Sequence, residues 1–169
     1  LEPFGQSSYY LPYATSLRMS DLGYRSTAQE QVDFSLDNLN DYVEALRKAT
    51  ETPHTPYKEI GVKVDNVYRQ LNHNLLQIEN EYYAPVRPKR VARSGEKPSH
   101  ALRDRGIEYI EVRCLDLDPF SPVGIDQHTI CFLDLLLLHC LFDDSPPLSK
   151  QGIREINHNL QKVVLEGRR

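Results

Sequence analysis

Along most of the chain apolar positions recur with the period of a strand or a helix, and turn residues separate the runs. From 107 to 115 the order is Ile-Glu-Tyr-Ile-Glu-Val-Arg-Cys-Leu, entered from Gly106 and left through Asp116–Pro119. β-Branched and aromatic residues in that setting predict one strand. Successive side chains point to opposite faces, so Ile110, Val112 and Cys114 share one face and Tyr109, Glu111 and Arg113 the other. The apolar face is expected against a core and the charged face on something polar.

Helical spacing appears three times. Ser35 can cap a helix whose apolar positions are Leu36, Leu39, Val43 and Leu46, with Tyr42 beside them. Asp37 near its start and Arg47 and Lys48 near its end suit the helix dipole, and its polar opposite face marks a scaffold helix. Asp126 is placed to cap the most apolar run, Gln127 to Phe142, where Leu135–Leu138 cover nearly the whole circumference and predict burial. Ser149 opens a last amphipathic helix through Ile153, Ile156, Leu160, Val163 and Val164, ending at Gly167. Elsewhere Tyr9–Tyr13 reads as extended, Thr50–Pro56 as a connection, and Val62–Gln70 as a hairpin turning at Asp65-Asn66. Leu71–Glu79 reads as a strand that Asn80–Tyr83 continue, before Pro85 and Pro88 force an extended edge or a loop. Ser94–Arg105 reads as a polar, mobile loop. Strands interspersed with helices, and no Gly-rich phosphate loop, give an α+β class and exclude Rossmann and P-loop readings.

Composition narrows the function. The 169 residues carry 20 Lys and Arg against 24 Asp and Glu, a net charge of −4, which argues against a general nucleic-acid binder. The basic run from Arg87 to Arg93 is therefore expected in a loop facing nucleotide phosphates or solvent. No apolar run reaches membrane-spanning length, since Ile130–Leu141 is short and contains Asp134 and His139. Cys114, Cys131 and Cys140 form no Cys-x-x-Cys pair and read as buried thiols of a reducing compartment. His139 reads as a core residue, and the scattered histidines predict no metal site of their own.

Two places carry candidate chemistry. Glu111 and Arg113 sit about 6.6 Å apart along one strand face. Their side chains can meet as a salt bridge or splay to hold a ligand, the carboxylate suiting a hard cation and the guanidinium a phosphate. Arg18, among Thr15, Ser16 and Ser20, makes either an anion pocket or a surface arginine on a strand edge.

Three ordered blocks carry a resemblance. They are Tyr10–Tyr24 (Tyr-Leu-Pro-Tyr-Ala-Thr-Ser-Leu-Arg-Met-Ser-Asp-Leu-Gly-Tyr), Leu76–Arg90 (Leu-Gln-Ile-Glu-Asn-Glu-Tyr-Tyr-Ala-Pro-Val-Arg-Pro-Lys-Arg) and Gly106–Pro122. In these blocks the chain resembles the bacterial glutamate–cysteine ligases of the gamma-proteobacterial type. The match runs on more loosely to Arg168, and Arg25–Tyr42 and Asp143–Asn157 agree only in length and pattern. The resemblance implies a glutamine-synthetase-like α+β fold, an antiparallel sheet bearing the active site with helices packed on its other side. It further implies that residues 1–169 are a partial domain, the central part of a catalytic domain, inactive alone because most metal-binding acids lie upstream. The implied activity is ATP-dependent ligation of L-glutamate to L-cysteine through γ-glutamyl phosphate, the first step of glutathione biosynthesis, in a cytoplasmic, monomeric enzyme using Mg2+. By match, Glu111 is a magnesium ligand, Arg113 the catalytic arginine that neutralises the transferred phosphoryl group, and Arg18 a substrate residue near glutamate. Tyr24 and Tyr83 line the cysteine pocket. The alternatives are another carboxylate–amine ligase of the same fold and a non-catalytic scaffold that uses the same surface for a partner.

Overall fold

The computed structural model of the chain describes every residue except 24–27, 30, 31 and 33. It divides into two compact units, Tyr24–Cys114 and a second formed by Leu1–Gly23 with Leu115–Arg169. Among the described residues every sheet is a two-stranded antiparallel pair. Helices and small antiparallel sheets together bear out the α+β class.

In the unit Tyr24–Cys114 the chain first forms helix α1 (Leu39–Glu51). Its cap is Asn38 rather than Ser35: the Asn38 side chain accepts from the Asp41 N–H at 2.9 Å, while Ser35 Oγ closes a local turn onto Asp37 N. Tyr42, Leu46 and Ala49 recur at helical spacing and are buried. They pack with Leu76, Tyr82, Ala84 and Leu102, and Phe34 stacks on the Tyr82 ring at 3.7 Å. The expected connection at Thr50–Pro56 instead holds the last turn of α1 and the start of α2 (Thr55–Ile60), which uses Pro56 in its first turn. Strands β3 (Lys63–Val64) and β4 (Val67–Tyr68) form the expected hairpin, with Asp65 and Asn66 both at positive φ as a tight primed turn requires.

The strand expected at Leu71–Glu79 does not form. Its backbone groups are shared between its own polar side chains and the end of α1: Gln77 Oε1 accepts from Leu71 N, Asn72 Oδ1 from Asn74 N, Asn72 Nδ2 donates to Gln77 O, and Leu75 N and Leu76 N donate to Thr52 O and Ala49 O. Such local bonds compete with a ladder. The segment ends in a 3-10 turn, Glu79–Glu81. The polar loop expected at Ser94–Arg105 contains helix α3 (Pro98–Arg105). Lys97 offers this helix no side-chain cap; the buried Glu79 carboxylate does so from a distance, accepting from Ser99 N at 2.8 Å and Ser99 Oγ at 2.6 Å.

Strand β5 (Val86–Lys89) pairs with β6 (Tyr109–Val112), with Val86 opposite Val112, Arg87 opposite Glu111, Pro88 opposite Ile110 and Lys89 opposite Tyr109. Arg113 N donates to Pro85 O at 2.8 Å and Glu108 N to Lys89 O at 2.9 Å, continuing the pairing at both ends. Pro88 is tolerated because a two-stranded sheet leaves an edge unpaired. The alternation read from sequence holds, but burial does not follow it, and Tyr109 on the charged face is as exposed as Ile110 on the apolar one. Ile110 and Val86 are 41% and 39% exposed, whereas Arg87, on the face of Glu111, is 5% exposed. Helices α1 and α3 cover Arg87 on that face, bringing Tyr42, Leu46, Pro98 and Leu102 around its side chain.

In the other unit β1 (Glu2–Phe4) pairs with β2 (Ser8–Tyr10), and two helices follow, α4 (Gln127–Phe142) and α5 (Lys150–Glu166). Their caps are the expected Asp126 and Ser149, accepting from Thr129 N and Gly152 N. Gly167 ends α5 in an ordinary right-handed conformation, so no left-handed glycine cap is used. Thr15 N and Oγ1 donate to the carbonyls of Val164 and Val163 at 2.9 and 2.7 Å, tying the N-terminal segment to the end of α5. The burial expected for α4 is not found: it has no buried residue, and Leu135 and Phe142 are 68% and 84% exposed. No described helix is long and apolar enough to cross a membrane.

Candidate functional site on the paired strands

The strand pair gathers the charges. Glu111 and Arg87 face each other across β5 and β6, with Arg87 Nη1 3.9 Å from Glu111 Oε2. Lys89 stands two residues along from Arg87 on the same face. Burial lowers the Lys89 pKa, the neighbouring charges of Arg87 and Arg113 lower it further, and Glu111 opposes them. Arg87, Lys89 and Arg113 thus set three cationic side chains on the strand-pair face that carries Glu111. Glu79, buried and lining the same cavity as Arg87 and Lys89, adds a second carboxylate whose charge the two Ser99 bonds stabilise. Tyr42 reaches the cluster from α1; burial raises its pKa, and the Arg87 guanidinium partly offsets this.

Tyr83 joins the site from the segment before β5. Its hydroxyl donates to the Arg113 carbonyl at 3.1 Å, and the Arg113 guanidinium lies 5.1 Å from the centre of its ring. That distance suits a cation–π contact. Gln29 fixes the Tyr83 backbone, accepting from its N–H at 3.0 Å while donating to Glu81 O at 2.9 Å. Such an arrangement can bind a polyanion, with Arg113 offering a planar fork to phosphate oxygens and Glu111 a hard oxygen ligand.

Of the residues selected from sequence, Glu111, Arg113 and Tyr83 come together here. Arg18 lies in the other unit, half-buried, its backbone N–H donating to Asp116 Oδ1 at 2.9 Å. Tyr24 lies outside the described residues. Arg87 was missed. Sequence placed it in a basic loop facing phosphates or solvent, and it is instead the buried member of the cluster. The signal lay in pairing, because Arg87 meets Glu111 only once the register of β5 on β6 is known.

The other candidates resolve differently. His139 is on the exposed surface of α4, 3.8 Å from Asp143, and the buried histidine is His54 at the start of α2. Cys131 and Cys140 are exposed and Cys114 is half-buried, so the buried-thiol reading fails with the burial of α4. Among the described residues no three His, Cys, Asp or Glu side chains converge as a metal cage. Glu111 does fit a share in one: its Oε2 is turned inward towards Arg87, the rest of its side chain is exposed, and magnesium is commonly held by one or two carboxylates plus substrate phosphates.

Residues 1–163 match the glutamate–cysteine ligase family model. The chain belongs to the glutamate–cysteine ligase family. Among its relatives, a glutamate–cysteine ligase from Shewanella amazonensis is 57% identical over 95% of this chain and 30% of its own length. One from Pseudomonas putida is 54% identical over the whole chain and 32% of its own length. A crystal structure of the Francisella tularensis glutamate–cysteine ligase in complex with AMP superposes with a TM-score of 0.86 at 48% identity, covering 93% of this chain and 31% of that one. The chain thus spans about a third of the length of the glutamate–cysteine ligases it matches.

Proposed function

We propose that residues 1–169 form the central part of a glutamate–cysteine ligase catalytic domain, with a glutamine-synthetase-like sheet bearing the site. The full-length protein joins L-glutamate to L-cysteine at the expense of ATP, as a cytoplasmic, monomeric enzyme. Three cations on the strand-pair face that carries Glu111, in a chain of this family, support the reading.

The glutamate γ-carboxylate attacks the γ-phosphorus of ATP, releasing ADP and forming γ-glutamyl phosphate. The cysteine amine then attacks the acyl carbon, expelling phosphate and losing a proton as the amide forms. Phosphoryl transfer rests on positioning and charge neutralisation. Arg113 supplies the second, its guanidinium steadied by the Tyr83 ring. Glu111 contributes one ligand to magnesium, which when bound neutralises charge on the nucleotide phosphates. Arg18 holds the glutamate end, and Tyr24 and Tyr83 the cysteine end. With one such carboxylate in the chain's strand pair, residues 1–169 alone are inactive.

The test is product analysis with full-length protein, ATP, glutamate and cysteine. The expected result is γ-glutamylcysteine with equal amounts of ADP and phosphate. ATP turnover with another amine and none with cysteine would favour a different carboxylate–amine ligase. Absence of any ATP turnover would favour a non-catalytic module.

A further inference from the structure

Arg87 has a surrounding that the reaction above does not use. It is a permanent cation, 5% exposed, in the layer between the strand pair and helices α1 and α3. Its Nε has no hydrogen-bond partner, and neither has Glu111 Oε2, the buried oxygen that lies 3.9 Å from Arg87 Nη1. A charge-assisted N–H···O bond closes at about 2.7–2.9 Å, so the pair faces each other about 1 Å short of a full contact. The Glu111 side chain is nevertheless 36% exposed, and that share lies away from Oε2. One oxygen is therefore turned inward to a buried guanidinium, and the rest of the side chain faces outward.

We propose that Arg87 is a positioning residue: its buried charge draws the inner oxygen of Glu111 towards it, so that the outer oxygen is presented to a divalent cation. This rests on the reading of Glu111 as a magnesium ligand. The register supports it, because cross-strand partners keep the two side chains on one face whatever the fluctuations of the loops. Tyr42, on α1, lines the same cavity as Arg87 and interacts with its guanidinium. Groups that orient a metal-binding carboxylate in this way typically change metal affinity about 10–100-fold when removed.

The experiment measures Mn2+ binding to the full-length protein by titration calorimetry, with a non-hydrolysable ATP analogue present, for wild type, Arg87→Gln, Arg87→Lys, Glu111→Gln and the double variant Arg87→Gln/Glu111→Gln. Arg87→Gln is expected to raise the Mn2+ Kd about 10–100-fold and Arg87→Lys by less, since an ammonium keeps the charge without the fork. The double variant should bind no more weakly than Glu111→Gln alone, the non-additivity expected of residues that act through one another. If Arg87→Gln fails to fold, Arg87→Lys carries the test. Wild-type Mn2+ affinity in a folded Arg87 variant, with Glu111→Gln weakened, overturns the positioning role alone. Wild-type affinity in Glu111→Gln as well removes the ligand assignment on which it stands.

Discussion

At the residue scale, identity was easier to read than environment. Glu111, Arg113 and Tyr83 were chosen from one strand and one short segment, and the structure brings them together. Arg87 was equally visible as a letter, but its role depends on a partner 24 positions along the chain, as the cross-strand register shows. Tyr83 makes a separable prediction. Tyr83→Phe keeps the ring beneath the Arg113 guanidinium and removes only the hydroxyl. If that hydroxyl serves the cysteine carboxylate, the KM for cysteine should rise several-fold, the equivalent of about 1 kcal/mol, while the KM for ATP stays near wild type. Steady-state kinetics with each substrate varied in turn distinguishes this from an equal loss for both, which would count against the assignment.

At the element scale, sequence succeeded where a cap and a periodic face coincide and failed where polar side chains decide. Helices α4 and α5 begin at the expected Asp126 and Ser149 because each cap sits directly before a periodic run. Leu71–Glu79 has the apolar residues of a strand, but Asn72 and Asn74 bond locally and to the end of α1 and take the segment out of a ladder. Helix α3 was read as a loop although Pro98 and Gly106 bracket it, since its apolar face is only Ala101 and Leu102. Its long-range cap gives a prediction: Glu79→Ala should cost about 2 kcal/mol, the loss of an N-terminal cap together with a buried acceptor, measured by urea denaturation. A cost near zero would mean that the Ser99 bonds are replaced by water. The far end of α3 supplies a pH dependence. Arg105 donates to both Glu96 carboxylate oxygens, at 2.6 and 2.9 Å, and with the Arg93 N–H this holds the Glu96 pKa down at about 2. A lowered acid pKa means that the stabilisation is complete above the unfolded value, about 4.3, and is lost as pH falls towards 2. The difference in denaturation midpoint between wild type and Glu96→Gln should therefore be constant above about pH 5 and shrink below it. A difference unchanged down to pH 2 would contradict the pairing.

At the scale of the whole molecule, two surfaces bear on the proposal that residues 1–169 are the central part of a catalytic domain. The apolar circumference of α4 and the Ile110 face of the strand pair were read as core, and both are exposed here. Hydrophobic pattern reports what a residue is suited to, whereas burial depends on what else is present, and the chain spans about a third of its relatives' length. Residues 1–169 expressed alone should accordingly bind a hydrophobic dye strongly and self-associate. The full-length protein should do neither, and comparable dye binding by both would show that these surfaces are open in the enzyme too.

The central claim, that the charged face of the strand pair is a catalytic surface, is tested most directly by turnover set beside thermal stability for Glu111→Gln and Arg113→Lys in the full-length protein. Each change preserves most of the side-chain volume and removes one chemical property, the carboxylate charge or the planar fork. Losing a preorganised charge contact typically costs about 10²–10³ in turnover, and that loss is predicted for both with melting temperatures close to wild type. An exposed salt bridge would behave otherwise, shifting stability by about 1 kcal/mol or less. Near-normal turnover in either variant would contradict the account and remove that residue from the site.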